Sequence, residues 1–185
     1  MIFEDTLMDK RTNQNISVIH DADGNSIVLI NDIIFKGKRS INWNEVESYL
    51  KKHVGEFYTI AETNDIVFFG KDLPDEYAHS NYTLSLMGAN AKAKANAAQG
   101  LGEMLEIAFN GKHTINKKQK HINDASNGWY KYESRFALPV YSNDDEIERY
   151  NIYHVYMIIR HDNNGKKYLY DVINIKKETS NPLGC

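Results

Sequence analysis

The sequence predicts an α+β protein, and three observations carry that reading. Short apolar runs are broken at Asp23-Gly24, Thr63-Asn64 and Asn164-Gly165, the composition of hairpin turns. Two stretches between them repeat apolar residues at helical spacing, and the last third holds three long runs rich in β-branched and aromatic residues. The expected architecture is a small ββαββ N-terminal lobe over residues 1–70, a linker loop over 71–82, and a helix followed by a three- to four-stranded antiparallel sheet over 83–185.

Residues 1 to 15 show no period and are expected to fray or to pack as an edge. From Ser17 to Phe35 the runs SVIHD and IVLINDIIF flank ADGNS, giving the first hairpin. Asn42, with Glu45 three residues on, has the spacing of a capping box. Trp43, Val46, Leu50 and Val54 then form a helical stripe that Gly55 stops. EFYTIAE and DIVFFG make the second hairpin. Pro74 and the short polar residues of KDLPDEYAHSNY read as the connecting loop. A second helix is expected from Tyr82 to Phe109, with Ala97, Leu101, Met104, Leu105 and Ala108 as its buried stripe and Asn110-Gly111 as its end. Gly100 and Gly102 within it point to close approach to a sheet or to a break in the helix. WYKYESRFALPVY places Tyr130, Tyr132, Phe136, Leu138 and Val140 on one face and Lys131, Glu133 and Arg135 on the other. EIERYNIYHVYMIIRHD is apolar on both faces and reads as the central strand. Asn164-Gly165 signals a type I′ turn, and KKYLYDVINIKK returns antiparallel.

Composition excludes several classes. Charged residues are 25% of the chain and hydrophobic ones 42%, an ordinary globular balance, and no apolar run approaches the roughly 20 residues of a spanning helix. No membrane association is expected, and the acidic N-terminus MIFEDTLMDKR lacks the pattern of a signal peptide, so a cytoplasmic protein is expected. The single cysteine, Cys185, is the last residue and offers neither a disulfide nor a cysteine-based metal site. The seven histidines include no H-x-x-x-H pair, and Asp21, Asp23 and Asn25 read as a turn and not as a calcium loop. No phosphate-binding glycine loop and no G-x-S-x-G motif occurs. Neither a metal nor a cofactor is expected.

What remains is Lys117 to Arg135, KKQKHINDASNGWYKYESR, a basic and aromatic stretch in a chain whose net charge is −3. Local positive charge beside aromatics suits a phosphate-bearing partner. Metal-free RNA cleavage needs a base for the ribose 2′-hydroxyl, an acid for the leaving oxygen and cations for the phosphate. The C-terminal half holds such groups near one sheet face: His121 before the first strand, Arg135 on it, His154 and His161 on the second and Lys167 on the third. Lys117, Lys118, Lys120, His161 and Lys167 are the expected phosphate-binding residues. A solvated basic loop beside packing tyrosines accounts for the same pattern.

The strings KAKANAAQGLGEMLEIA, KKQKHINDASNGWYKYESRFALPVY, ERYNIYHVYMIIRHD, GKKYLYDVINIKKETSNPLG and IVFFGKDLPDEYAHSNYT resemble a large polyvalent protein-associated domain of phages and conjugative elements. The resemblance runs from roughly Ser26 to Gly184. It implies kinship with the barnase, EndoU, colicin and RelE ribonucleases, whose core is helical segments followed by a four-stranded antiparallel sheet. It further implies His121 as base or acid, Arg135 as phosphate clamp, and Lys120 and Tyr130 in support. The implied function is a metal-independent nuclease or a nuclease-like module that binds RNA without cleaving it. The alternative is a phage-encoded inhibitor of host defence, of the anti-CRISPR type, which blocks a nucleoprotein effector by binding. A third reading is a structural module whose sheet binds protein.

Overall fold

The structure, a computed structural model, describes residues 15–37 and 39–178. The expectations for the first fourteen residues and for Cys185 lie outside them. The described residues form a mixed α+β fold: one eight-stranded sheet with helices against it. In chain order the elements are β1 (Ile16–His20), β2 (Ser26–Ile30), α1 (Trp43–Lys51), β3 (Phe57–Thr59), β4 (Ile66–Phe68), α2 (Leu73–His79), α3 (Asn81–Ser85), α4 (Gly88–Ala97), α5 (Leu101–Glu106), β5 (Phe109–Thr114), β6 (Trp129–Tyr141), β7 (Ile147–His161) and β8 (Lys167–Lys177). Among them no helix is long and apolar enough to cross a membrane.

The long antiparallel strands β6, β7 and β8 are the middle of the sheet, each paired with a neighbour on both sides. Tyr132, Phe136 and Leu138 of β6 join Tyr153, Val155, Met157 and Ile159 of β7 in the main core. The strand order β1-β2-β6-β7-β8-β4-β3 shows why the expected ββαββ lobe is not a separate body. Its two hairpins add to opposite edges of the C-terminal sheet, β2 running parallel to β6 and β4 parallel to β8. Neither hairpin has a face broad enough to bury alone, and the meander supplies one. β5 pairs with the first half of β6, alongside Trp129 to Glu133. Its sequence, FNGKHT, lacks apolar alternation and is mostly exposed, so no strand is legible there.

Three hairpin turns share one solution. Asp21, Ser142 and Asp162 each accept a backbone hydrogen bond from the residue three positions on, and their own N–H donates to the residue four on. Their side chains accept from backbone N–H groups inside the turn. The left-handed position falls on Gly24, Asp145 and Gly165, with φ of 83°, 60° and 83°. This is a type I turn with a bulge, and it corrects the type I′ turn expected at Asn164-Gly165. The Asp162 carboxylate holds Asn164 in the right-handed region and leaves Gly165 to take the positive φ.

The stretch expected as a connecting loop carries α2 and α3. Pro74 lies in the first turn of α2, where a missing N–H breaks no helical bond. The single helix expected from Tyr82 to Phe109 is divided. Leu86 and Met87 are extended, α4 begins at Gly88, and a 3-10 turn over Ala98–Gly100 links α4 to α5. The predicted stripe of Ala97, Leu101, Met104, Leu105 and Ala108 is buried throughout. A Cβ on Gly102 would lie 2.1 Å from the Tyr58 ring of β3, so the glycine admits the strand at contact distance.

Candidate functional site

The basic segment is tied down by its own polar residues. Asn116 Oδ1 accepts from the Trp129 indole N–H at 3.2 Å and from the Lys118 N–H at 3.2 Å. A short 3-10 turn over Gln119–His121 follows. Arg160 then fixes what comes next: its guanidinium donates to Asp72 at 2.9 and 3.1 Å, to the Asp124 carbonyl at 3.1 Å, and lies 4.2 Å from the Tyr168 ring centroid. One arginine on β7 thereby joins the start of α2 to the loop that carries His121.

These ties shape a cleft of about 680 Å³. Lys117, Lys118, Lys120 and His121 line one side, Glu76, Ser80 and Tyr82 of the α2–α3 region another, and Trp129, Tyr170 and Asp171 the sheet side. The three lysines are exposed, while His121 is buried to 6% exposure and meets Trp129 and Tyr170 edge-on, with centroids at 4.9 and 5.4 Å. Its Nδ1 is 3.0 Å from both oxygens of the Asp124 carboxylate. No hydrogen bond engages Nε2 among the described residues, and no buried polar side-chain atom there is without a partner, so Nε2 reaches the open cleft. In the neutral imidazole, a carboxylate on Nδ1 holds the proton there and leaves the lone pair on Nε2. Burial, and then the Glu76 carboxylate, push the Tyr170 hydroxyl far above its ordinary range; burial first raises Tyr82 as well. Both tyrosines are therefore neutral, Tyr82 accepting from the Ile175 N–H at 2.8 Å, and the His121 imidazole is the lining group able to take up a proton.

Beneath the cleft is a buried ion pair. Lys94 Nζ donates to Asp171 Oδ1 and to Thr83 Oγ1, each at 2.6 Å, and faces the Tyr77 and Tyr82 rings at 4.6 and 5.2 Å. Tyr77 donates to the Lys94 carbonyl at 2.5 Å. This group fixes α2, α3, α4 and β8 relative to one another, and so the cleft's second wall.

The sequence-predicted residues do not all meet here. Lys117, Lys118, Lys120 and His121 share the cleft. Arg135 does not: it lies six residues beyond Trp129 along β6, about 20 Å at strand rise, in a separate depression with Asp21, His154 and Glu178. There its Nε and Nη2 donate to the two oxygens of Glu178 and its Nη1 to Asp21, all at 2.9 Å. Two carboxylates on one guanidinium leave a local negative charge, which corrects the phosphate-clamp expectation; Arg135 ties the β1–β2 turn to the end of β8. Tyr130 is on the other face of β6, packed against the main core. Lys167 Nζ lies 4.3 Å over its ring and 3.0 Å from Asp65, and His161 is 5.8 Å from Tyr130 with its Nε2 3.2 Å from the Gly165 carbonyl. The alternation that buries Tyr132 sends Tyr130 away from His121. His154 is satisfied by Glu133 at 2.7 Å.

The paired Arg135 gives a pH prediction. The hydrogen bond from Arg135, then that from the Asn25 N–H, holds the Asp21 carboxyl below its ordinary 3.8. A lowered carboxyl contributes stability above that value and loses it as pH falls through the folded pKa. Arg135→Gln is expected to weaken the fold at pH 7 and to lie much closer to wild type at pH 2, by urea unfolding at the two pH values. An equal loss at both would refute the electrostatic role.

Sequence reasoning missed Asp124, Asn116, Arg160 and the Lys94–Asp171 pair. Only Asp124 left a local signal, three residues after His121. Compared with models of known protein families and with curated protein sequences, the chain matches none.

Proposed function

We propose that the Lys117–His121 cleft binds single-stranded RNA through its phosphates and that His121 acts as the general base for metal-free cleavage. The single observation that carries this reading is the His121–Asp124 pair, its Nδ1 fixed and its Nε2 open to a cleft edged by three lysines. Lys117, Lys118 and Lys120 neutralise a bound phosphodiester, and Trp129 and Tyr170 offer ring surfaces to bases. His121 Nε2 takes the proton of a ribose 2′-hydroxyl. The 2′-oxygen bonds to phosphorus, the bond from phosphorus to the 5′-oxygen breaks, and the leaving oxygen takes a proton from water. Charge that develops on the phosphoryl oxygens faces the lysines. Glu76 opposes them, but Asp171 is neutralised by Lys94.

Binding is tested by fluorescence anisotropy with a labelled single-stranded RNA between 50 and 200 mM salt. Three lysine–phosphate contacts give a log–log salt slope of about −2. The triple variant Lys117→Ala, Lys118→Ala, Lys120→Ala, at exposed positions, is expected to lose most of the affinity and of the slope. Wild-type affinity in that variant would overturn the reading, as would the absence of RNA binding by the intact protein.

A further inference from the structure

We propose that Glu47, Asp75 and His79 form a binding site for a first-row divalent cation, Zn²⁺ being the ion their donors suit, at the contact between α1 and α2. Asp75 and His79 are four residues apart on α2 and so share one side of that helix. Glu47, from the middle of α1, faces them, and one ligand atom from each of the three residues falls within 4.8 Å of the other two. His79 Nε2 is 3.2 Å from Glu47 Oε1. Two ligands about 2.0–2.1 Å from a tetrahedral zinc stand about 3.3 Å apart, so this pair already has the required separation. Asp75 is exposed, and a rotation of its side chain would bring the third donor in.

The donor set decides the class of ion. One imidazole nitrogen with two carboxylate oxygens suits zinc and its neighbours, whereas magnesium and calcium prefer oxygen alone. Three protein ligands leave a fourth position for water. Lys51 stands 3.7 Å from Glu47 Oε2 with most of its side chain in solvent, a weak competitor that leaves Oε1 to the site. A bound ion cross-links α1 to α2, which are joined in the chain only through the β3–β4 hairpin. None of the three ligands lines the RNA cleft, so the site and the proposed cleavage stand or fall separately.

The test is isothermal titration of the EDTA-treated full chain with ZnCl₂ and, separately, MgCl₂, with melting temperatures in parallel. One zinc per chain, a raised melting temperature and no response to magnesium are expected. His79→Asn and Asp75→Asn, substitutions of half-exposed and exposed side chains, are expected to weaken zinc binding at least tenfold while keeping the metal-free melting temperature near wild type. Glu47→Gln provides a third arm should either variant fold poorly. The proposal is overturned if no saturable binding occurs, or if zinc binds the folded variants as tightly as wild type, since the ion would then sit elsewhere.

Discussion

Replacing Lys94 by methionine is expected to lower folding stability by about 3–5 kcal/mol, the usual cost of removing one partner of a buried ion pair. Methionine fills nearly the same volume, so the loss is electrostatic: Asp171 is left without its partner in a site where the Lys94 side chain is 0% exposed and its own 6%. Burial raises the Asp171 carboxyl and lowers the Lys94 ammonium, each against the pull of its partner. The sign follows. A raised carboxyl makes the folded state bind more protons than the unfolded one, so stability falls as pH rises from its ordinary 3.8 through the folded value. Without Lys94 that rise is larger, so the variant is closest to wild type in acid and furthest from it at neutral pH. The double variant Lys94→Met, Asp171→Leu removes the stranded charge and recovers much of the loss. Urea midpoints at pH 4 and pH 7 for the two single variants and the double variant complete the cycle. A neutral-pH loss below about 1 kcal/mol for Lys94→Met would show that the pair contributes little.

His121→Asn is expected to reduce RNA cleavage in EDTA by about 10²–10⁴-fold, the usual contribution of a general base, with RNA affinity little changed. Asn keeps a polar contact to Asp124 but cannot cycle a proton. Asp124→Asn tests positioning: it removes the carboxylate that holds the Nδ1 proton, so the rate falls and its pH profile shifts while the imidazole is still present. Because His121 packs edge-on against Trp129 and Tyr170, melting temperatures accompany both rate measurements. Undiminished cleavage by folded His121→Asn would remove the assignment. Binding without cleavage by the wild-type protein would leave the cleft an RNA-binding site alone.

Much of the secondary structure was legible because its causes are local. Asn42 caps α1 from its own side chain, accepting from the Asn44 N–H at 3.1 Å, and Asp162 and Asp21 close their turns within five residues. Alternation in WYKYESRFALPVY places Tyr132, Phe136 and Leu138 in the core, where the structure has them. A proline misled the reading of α2 because composition does not distinguish the first turn of a helix from a loop. β5 was missed because an exposed strand paired at one edge needs no apolar face.

The sequence by itself determined the α+β class, the positions of the hairpin turns, the central strands and the basic loop with His121, since each depends on neighbours within a few positions. Tertiary structure alone decided three things: both N-terminal hairpins became edges of one sheet, Arg135 was neutralised by Asp21 and Glu178, and Lys94 met Asp171. Each of these pairs groups far apart in the chain, and burial makes such pairing favourable only once the sheet has brought the partners together. For that reason the stretch from Lys117 to Arg135, continuous in sequence, divides in space into a cleft at His121 and a structural tie at Arg135.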